Sequence, residues 1–120
     1  LGYLNYGYVI NSNFQQVKLE NKAGNFVTAN AETSSAGLAQ IVLDDQLRGS
    51  NPNPAGANSY PIVSLTWVLA HPEHPNNEAM KSVFNYMLSD ECQSKSDALG
   101  YVPLPLSVRA QALEAVRGLN

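Results

Sequence analysis

The sequence predicts an α/β fold in which central strands pack against three or more helices, and three observations carry that prediction. Ile62, Val63, Leu65, Trp67, Val68 and Leu69 form an apolar run broken only by Ser64 and Thr66. Such continuity marks a strand covered on both faces, as in a parallel or mixed sheet between helices. Met80, Val83, Phe84, Met87 and Leu88 recur at helical spacing, which predicts a helix over 78–99. The stretch QQVKLENKAGNFVTA has the alternation and the Gly-Asn turn of a hairpin.

In chain order, LGYLNYGYVINSN comes first. Alternation groups Leu4, Tyr6, Tyr8 and Ile10, whereas helical spacing groups Leu1, Leu4 and Tyr8. Gly2 and Gly7 weaken both patterns, and the expectation is a strand end through Tyr3 followed by a short helix. In the hairpin, Val17 and Leu19 alternate with Lys18 and Glu20, and Phe26-Val27-Thr28 returns. Asn30 stands at an N-cap position with Glu32 in the first turn, so a helix is expected from there to about Leu47. Leu38, Ile41 and Val42 would form its apolar face, with Leu43 at the margin. GSNPNPAGANS, at 49–59, holds two Pro, two Gly and three Asn and reads as a loop.

Pro61 opens the apolar strand, where a missing donor does least harm. Gly100 sits where a C-terminal glycine would end the helix over 78–99. Pro105 suits the first turn of a last helix running to Arg117, with Val108, Ala112, Leu113 and Val116 buried and Gly118 ending it. A strand buried on both faces needs neighbours on both sides, and this chain offers few candidates to flank 62–69.

Composition bounds the chemistry. The 120 residues suit one domain, with 44% hydrophobic residues and only 14% charged, against about 25% in ordinary globular chains. The net charge is −3, and the seven Lys and Arg are scattered, so no basic stripe exists to neutralise nucleic-acid phosphates. The longest apolar run is about half the length of a membrane-spanning helix. Cys92 is the single cysteine, which rules out an internal disulfide, and without a His at fixed spacing it reads as a packed side chain.

The polar constellations are weak. HPEHP, 71–75, gathers His71, Glu73 and His74, but Pro72 and Pro75 oppose a shared helical face and no fourth ligand is apparent. The expectation is a polar link with two solvated histidines. Asp44-Asp45 and Asp90-Glu91 are adjacent pairs that point apart on a helix and read as solvated faces. No nucleophile elbow, phosphate-binding loop or dinucleotide fingerprint occurs. Tyr3, Tyr6 and Tyr8 could stack sugars or bases, but packing at an element end is their commoner use.

Three stretches in this order, GYLNYGYVINSN, NPAGANSYPIVSLTWVLA and LGYVPLPLSVRAQAL, resemble the last part of the phosphate-binding protein of bacterial ABC-type phosphate uptake systems. The intervening NKAGNFVTANAET fits as well, so the resemblance covers essentially the whole chain. It implies an α/β, periplasmic-binding-protein-like fold of type II, here an incomplete C-terminal portion of a two-lobed clamshell. Residues 1–59 would end the second lobe. Residues 60–120 would supply the crossing strand and the C-terminal helices of the first lobe. Leu1 would lie just inside a strand whose beginning is absent.

The resemblance also implies function. The intact protein would capture inorganic phosphate outside the cytoplasm, in the periplasm or at the cell envelope. It would then deliver the anion to the permease of an ABC transporter. It would be a binding protein and not an enzyme, with no cofactor and no nucleic-acid partner. The family's phosphate ligands are a Thr-Phe loop, a Ser, an Asp and an Arg followed by a Ser-Gly-Thr helix start. They come from earlier chain, and none matches a position here. No catalytic, phosphate-binding or metal-binding residue is therefore carried over, and the chain alone is expected not to hold phosphate tightly. Two other readings keep the fold: a free-standing interaction or sensor module without ligand, and a phosphatase-like relative.

Overall fold

Asn5 starts the first element of the computed structural model, which describes residues 2–120. Its side chain accepts from the Gly7 N–H and caps α1, Tyr6–Asn11. The expected short helix is thus present. Residues 2–5 form no strand, and the expectation for Leu1 lies outside the described residues.

The hairpin forms as two short antiparallel strands, β1 (Leu19–Glu20) and β2 (Phe26–Val27), with Leu19 opposite Val27. Gly24 takes φ 83° in the turn, a backbone region in which a Cβ is unfavourable. Asn30 caps α2, Ala31–Leu38, in a reciprocal capping box with Thr33. This helix ends nine residues before the expected Leu47. Gly37, near its end, packs against Tyr60 and Val63, and the last turn tightens as Ile41 N–H donates to the Leu38 carbonyl. Asp44 then organises a separate turn: its Oδ1 accepts from the backbone N–H groups of Gln46 and Arg48. Leu38 and Ile41 are buried as expected, but Val42 is 86% exposed, because beyond the helix end it no longer follows helical spacing.

The larger correction falls on 62–69. The segment Pro61–Ala70 joins no sheet, and no backbone hydrogen bond ties it to another segment among the described residues. Ile62, Val68 and Leu69 are exposed at 73%, 60% and 95%. The expected strand buried on both faces is here a strap with a free backbone. The only sheet among the described residues is the hairpin, so the architecture is mixed, mostly helical with few strands.

The expected helix over 78–99 is three pieces: α3 (Asn77–Met87), α4 (Asp90–Gln93) and a 3₁₀ turn (Asp97–Leu99). Ser89 divides them, since its extended backbone breaks the first helix and its hydroxyl accepts from the Cys92 N–H to start the next. Gly100 ends the series at φ 78°, crossing so close to Gly7 of α1 that a Cβ would overlap the Gly7 backbone. α5 runs Leu106–Arg117 with Pro105 at its N-cap rather than inside the first turn. It packs on α3 with Val108 and Val116 buried.

The molecule extends 47 × 30 × 24 Å, with a radius of gyration of 15.9 Å. A compact chain of this length would have about 14 Å. Its accessible surface is 8327 Å², roughly 2000 Å² above the value a compact monomer of 13.0 kDa exposes.

Candidate functional site

Two networks of amide side chains hold the strap at its ends. On one side, buried Asn21 directs Nδ2 at the carbonyls of Gly56, Ala57 and Ser59. Its Oδ1 accepts from the Ala23 and Asn25 N–H groups within the hairpin turn. Gln40 Nε2 donates to Ser59 Oγ at 2.7 Å, while Oε1 accepts from the Ala55 N–H. The Pro- and Asn-rich loop is thereby fastened to the hairpin and α2, and Tyr60 N–H donates to the Thr33 carbonyl as the strap begins.

On the other side, Asn77 is 2% exposed, and its Nδ2 lies 3.2, 2.8 and 2.6 Å from the carbonyls of His71, Pro72 and Asn120. One side chain thus ties the end of the strap to the start of α3 and to the end of α5. Gln93 acts similarly within this half, donating to the Met87 carbonyl and accepting from the Leu104 N–H. Arg109 of α5 donates to Asp90 at 2.6 Å.

Between these anchors the strap crosses an apolar cavity of about 360 Å³. Leu47, Leu65, Trp67, Phe84, Leu104 and Val108 line it, among others. The Trp67 indole N–H donates to the Leu47 carbonyl at 2.6 Å, a polar clasp across the groove. A second hollow opens at the strap's start, between β1 and Pro61–Val63. The lining of the groove under the strap is mostly apolar, with Gln93 and Thr66 among it, and Glu20 lines the second hollow.

The polar candidates stay apart. His71 Nδ1 accepts from the Glu73 N–H and His74 Nδ1 from the Asn76 N–H, each imidazole folded onto its own turn. No group of three or more His, Cys, Asp or Glu is placed to hold a metal ion among the described residues. Asp90 and Glu91 diverge to Arg109 and Lys95. Tyr3 and Tyr8 are exposed, whereas Tyr6 is partly covered. Burial, and then the Asp97 charge, raise the Tyr6 pKa above its ordinary value.

The starts of α2 and α3 are ill suited to an anion. The capping box occupies the start of α2. At the start of α3 the buried atom without a partner among the described residues is the Asn77 Oδ1, an acceptor that would repel an anion. Sequence reasoning missed Asn21, Gln40 and Asn77. Their signal is only an amide at a turn or helix start, and their partners lie up to 43 residues away.

The comparisons give this arrangement a context. The phosphate-binding protein PstS of Pasteurella multocida is 31% identical over 112 residues, spanning 90% of this chain and 33% of that protein. The chain is similar to a third of a phosphate-binding protein. PstS of Methanocaldococcus jannaschii is 28% identical across 97% of this chain and 34% of its own length. PstS of Haemophilus influenzae is 27% identical, across 90% of the chain and 34% of the relative. No family model matches the chain. The chain thus spans about a third of the PstS proteins it matches, and the expected family resemblance holds over nearly all of it. All three bear the name of a binding protein. No helix among the described residues is long and apolar enough to cross a membrane.

Proposed function

We propose that this chain is the C-terminal portion of a substrate-binding protein that captures inorganic phosphate for ABC-transporter uptake outside the cytoplasm. The observation that carries this reading is the similarity to PstS proteins over 90–97% of the chain. In this reading the portion is scaffold and hinge, in a two-lobed fold of type II, and performs no covalent chemistry. Residues 1–59 end one lobe, Pro61–Leu69 cross between lobes, and the helices beyond complete the other.

Physical features support the division. The Asn21 and Gln40 amides bind 49–60 to the first part, and the Asn77 amide binds 71–72 to the last. The strap between them carries no backbone bonds among the described residues and is free to flex or to enter a sheet. Capture of a dry oxyanion needs several N–H and O–H donors aimed at one point. The amides of Asn21, Gln40 and Asn77 described above are engaged with backbone carbonyls, backbone N–H groups and a serine hydroxyl of the chain instead.

Calorimetric titration of the 120-residue chain with orthophosphate tests the assignment. The expected result is no binding at micromolar concentrations. A longer polypeptide joining this chain to the other two thirds of a PstS relative is expected to bind. Micromolar binding by the 120 residues alone, or none by the longer polypeptide, overturns the reading.

A further inference from the structure

Leu47 holds a backbone conformation that its own side chain disfavours, at the point where the first part of the chain meets the strap. Its φ is 58°, in the left-handed region where a Cβ crowds the backbone. Such a conformation persists only where the surroundings hold it. Here the Asp44 turn does so. The Asp44 N–H donates to the Arg48 carbonyl and the Leu47 N–H to the Asp44 carbonyl, each at 2.9 Å. Asp44 Oδ1 accepts from the N–H groups of Gln46 and Arg48, the residues on either side of Leu47. Asp44 Oδ2 accepts from Arg48 Nε at 2.8 Å. At the base of the turn a Cβ on Gly49 would overlap the Val42 carbonyl, so the two ends close on each other backbone to backbone.

The residue so held meets the groove twice. Its side chain lines the cavity, and its carbonyl accepts from the Trp67 indole N–H at 2.6 Å. We infer that the Asp44–Arg48 turn is a latch for the strap: the Asp44 carboxylate keeps Leu47 left-handed, and that backbone sets the carbonyl that captures Trp67. Asp44 is thereby a positioning residue that acts on Trp67 through Leu47. The latch fastens the middle of the strap to the first part of the chain and restrains the two anchored parts against each other. It needs only contacts within this chain and does not depend on the phosphate reading.

Packing offers a rival account, in which the Leu47 side chain holds Trp67 by apolar contact alone. The two accounts rank substitutions at position 47 in opposite orders. Asparagine visits left-handed backbone readily but has no apolar side chain, whereas valine is apolar and its branched Cβ opposes that backbone. Under the latch, Leu47→Asn keeps the indole bond and Leu47→Val loses it. Under packing, Leu47→Asn is the more damaging change.

Trp67 is the only tryptophan, so one indole N–H resonance in the 120-residue chain reports the bond. Its exchange with solvent, followed by NMR, is expected to quicken at least about fivefold in Asp44→Ala and in Leu47→Val, the ratio that the lower end of the left-handed penalty gives. In Leu47→Asn it is expected to stay within about twofold of the parent, since asparagine tolerates that region. Adding Leu47→Asn to Asp44→Ala is expected to recover part of the protection. The Asn25 amide, bonded to Asn21 within the hairpin, should keep its rate in every variant. An indole rate indifferent to Asp44→Ala, or faster exchange in Leu47→Asn than in Leu47→Val, overturns the proposal. Should Asp44→Ala also quicken the Asn25 amide through loss of the whole fold, the order of the two position-47 variants decides.

Discussion

Asn77 concentrates an unusual share of the tertiary order in one amide. Its Nδ2 approaches carbonyls of His71, Pro72 and Asn120, and the Asn120 N–H returns to the Pro72 carbonyl. Asn77→Ala leaves these acceptors without their donor in a buried setting and is expected to destabilise the chain by about 2 kcal/mol, measured by urea denaturation. Asn77→Asp should be no better, since a carboxylate cannot donate to carbonyls. Asp44 shows the opposite economy, a surface carboxylate bonded within its own turn. The Arg48 side chain, foremost, and the backbone N–H groups of Arg48 and Gln46 hold its pKa below the ordinary carboxylate value. A depressed acid stabilises the folded form above its unfolded pKa, and that contribution is lost as pH falls through the folded value. The amide resonances of Gln46 and Arg48 are therefore expected to titrate below about pH 4, and Asp44→Asn should abolish the titration.

Elements here are set by their ends more than by their apolar stripes. A continuous stripe from Met80 to Leu88 predicts one long helix, yet Ser89 ends it and begins another. Ser89→Ala removes the acceptor for the Cys92 N–H and is expected to cost about 1 kcal/mol. The loss should appear as faster amide exchange in α4 while α3 and α5 keep their protection. α2 tells the same story at its far end, where the close approach of Gly37 to the strap and the Asp44 turn stop a pattern that helical spacing would have carried to Leu47. Its start was legible, because an Asn followed by Thr three residues on is itself the hydrogen-bonding unit. The hairpin was legible because Gly24 and Asn25 mark the turn locally, while the Asn21 side chain that braces it was not.

At the scale of the molecule, the strap joins two separately anchored parts. Its flanking anchors are polar and long-range in sequence, whereas Ile62, Val68 and Leu69 of the strap are exposed. In the longer polypeptide of the proposed function that surface is available to a sheet. The sequence by itself determined the hairpin, the capped start of α2, the buried Val108 and Val116 of α5, and the family resemblance. Each rests on residues within a few positions of one another, where periodicity and capping chemistry act. Only the tertiary structure decided where helices stop, which amides tie distant segments, and that 62–69 lies without strand partners. Those outcomes depend on groups brought together from far along the chain, and a strand's neighbours are not encoded in the strand's own side chains.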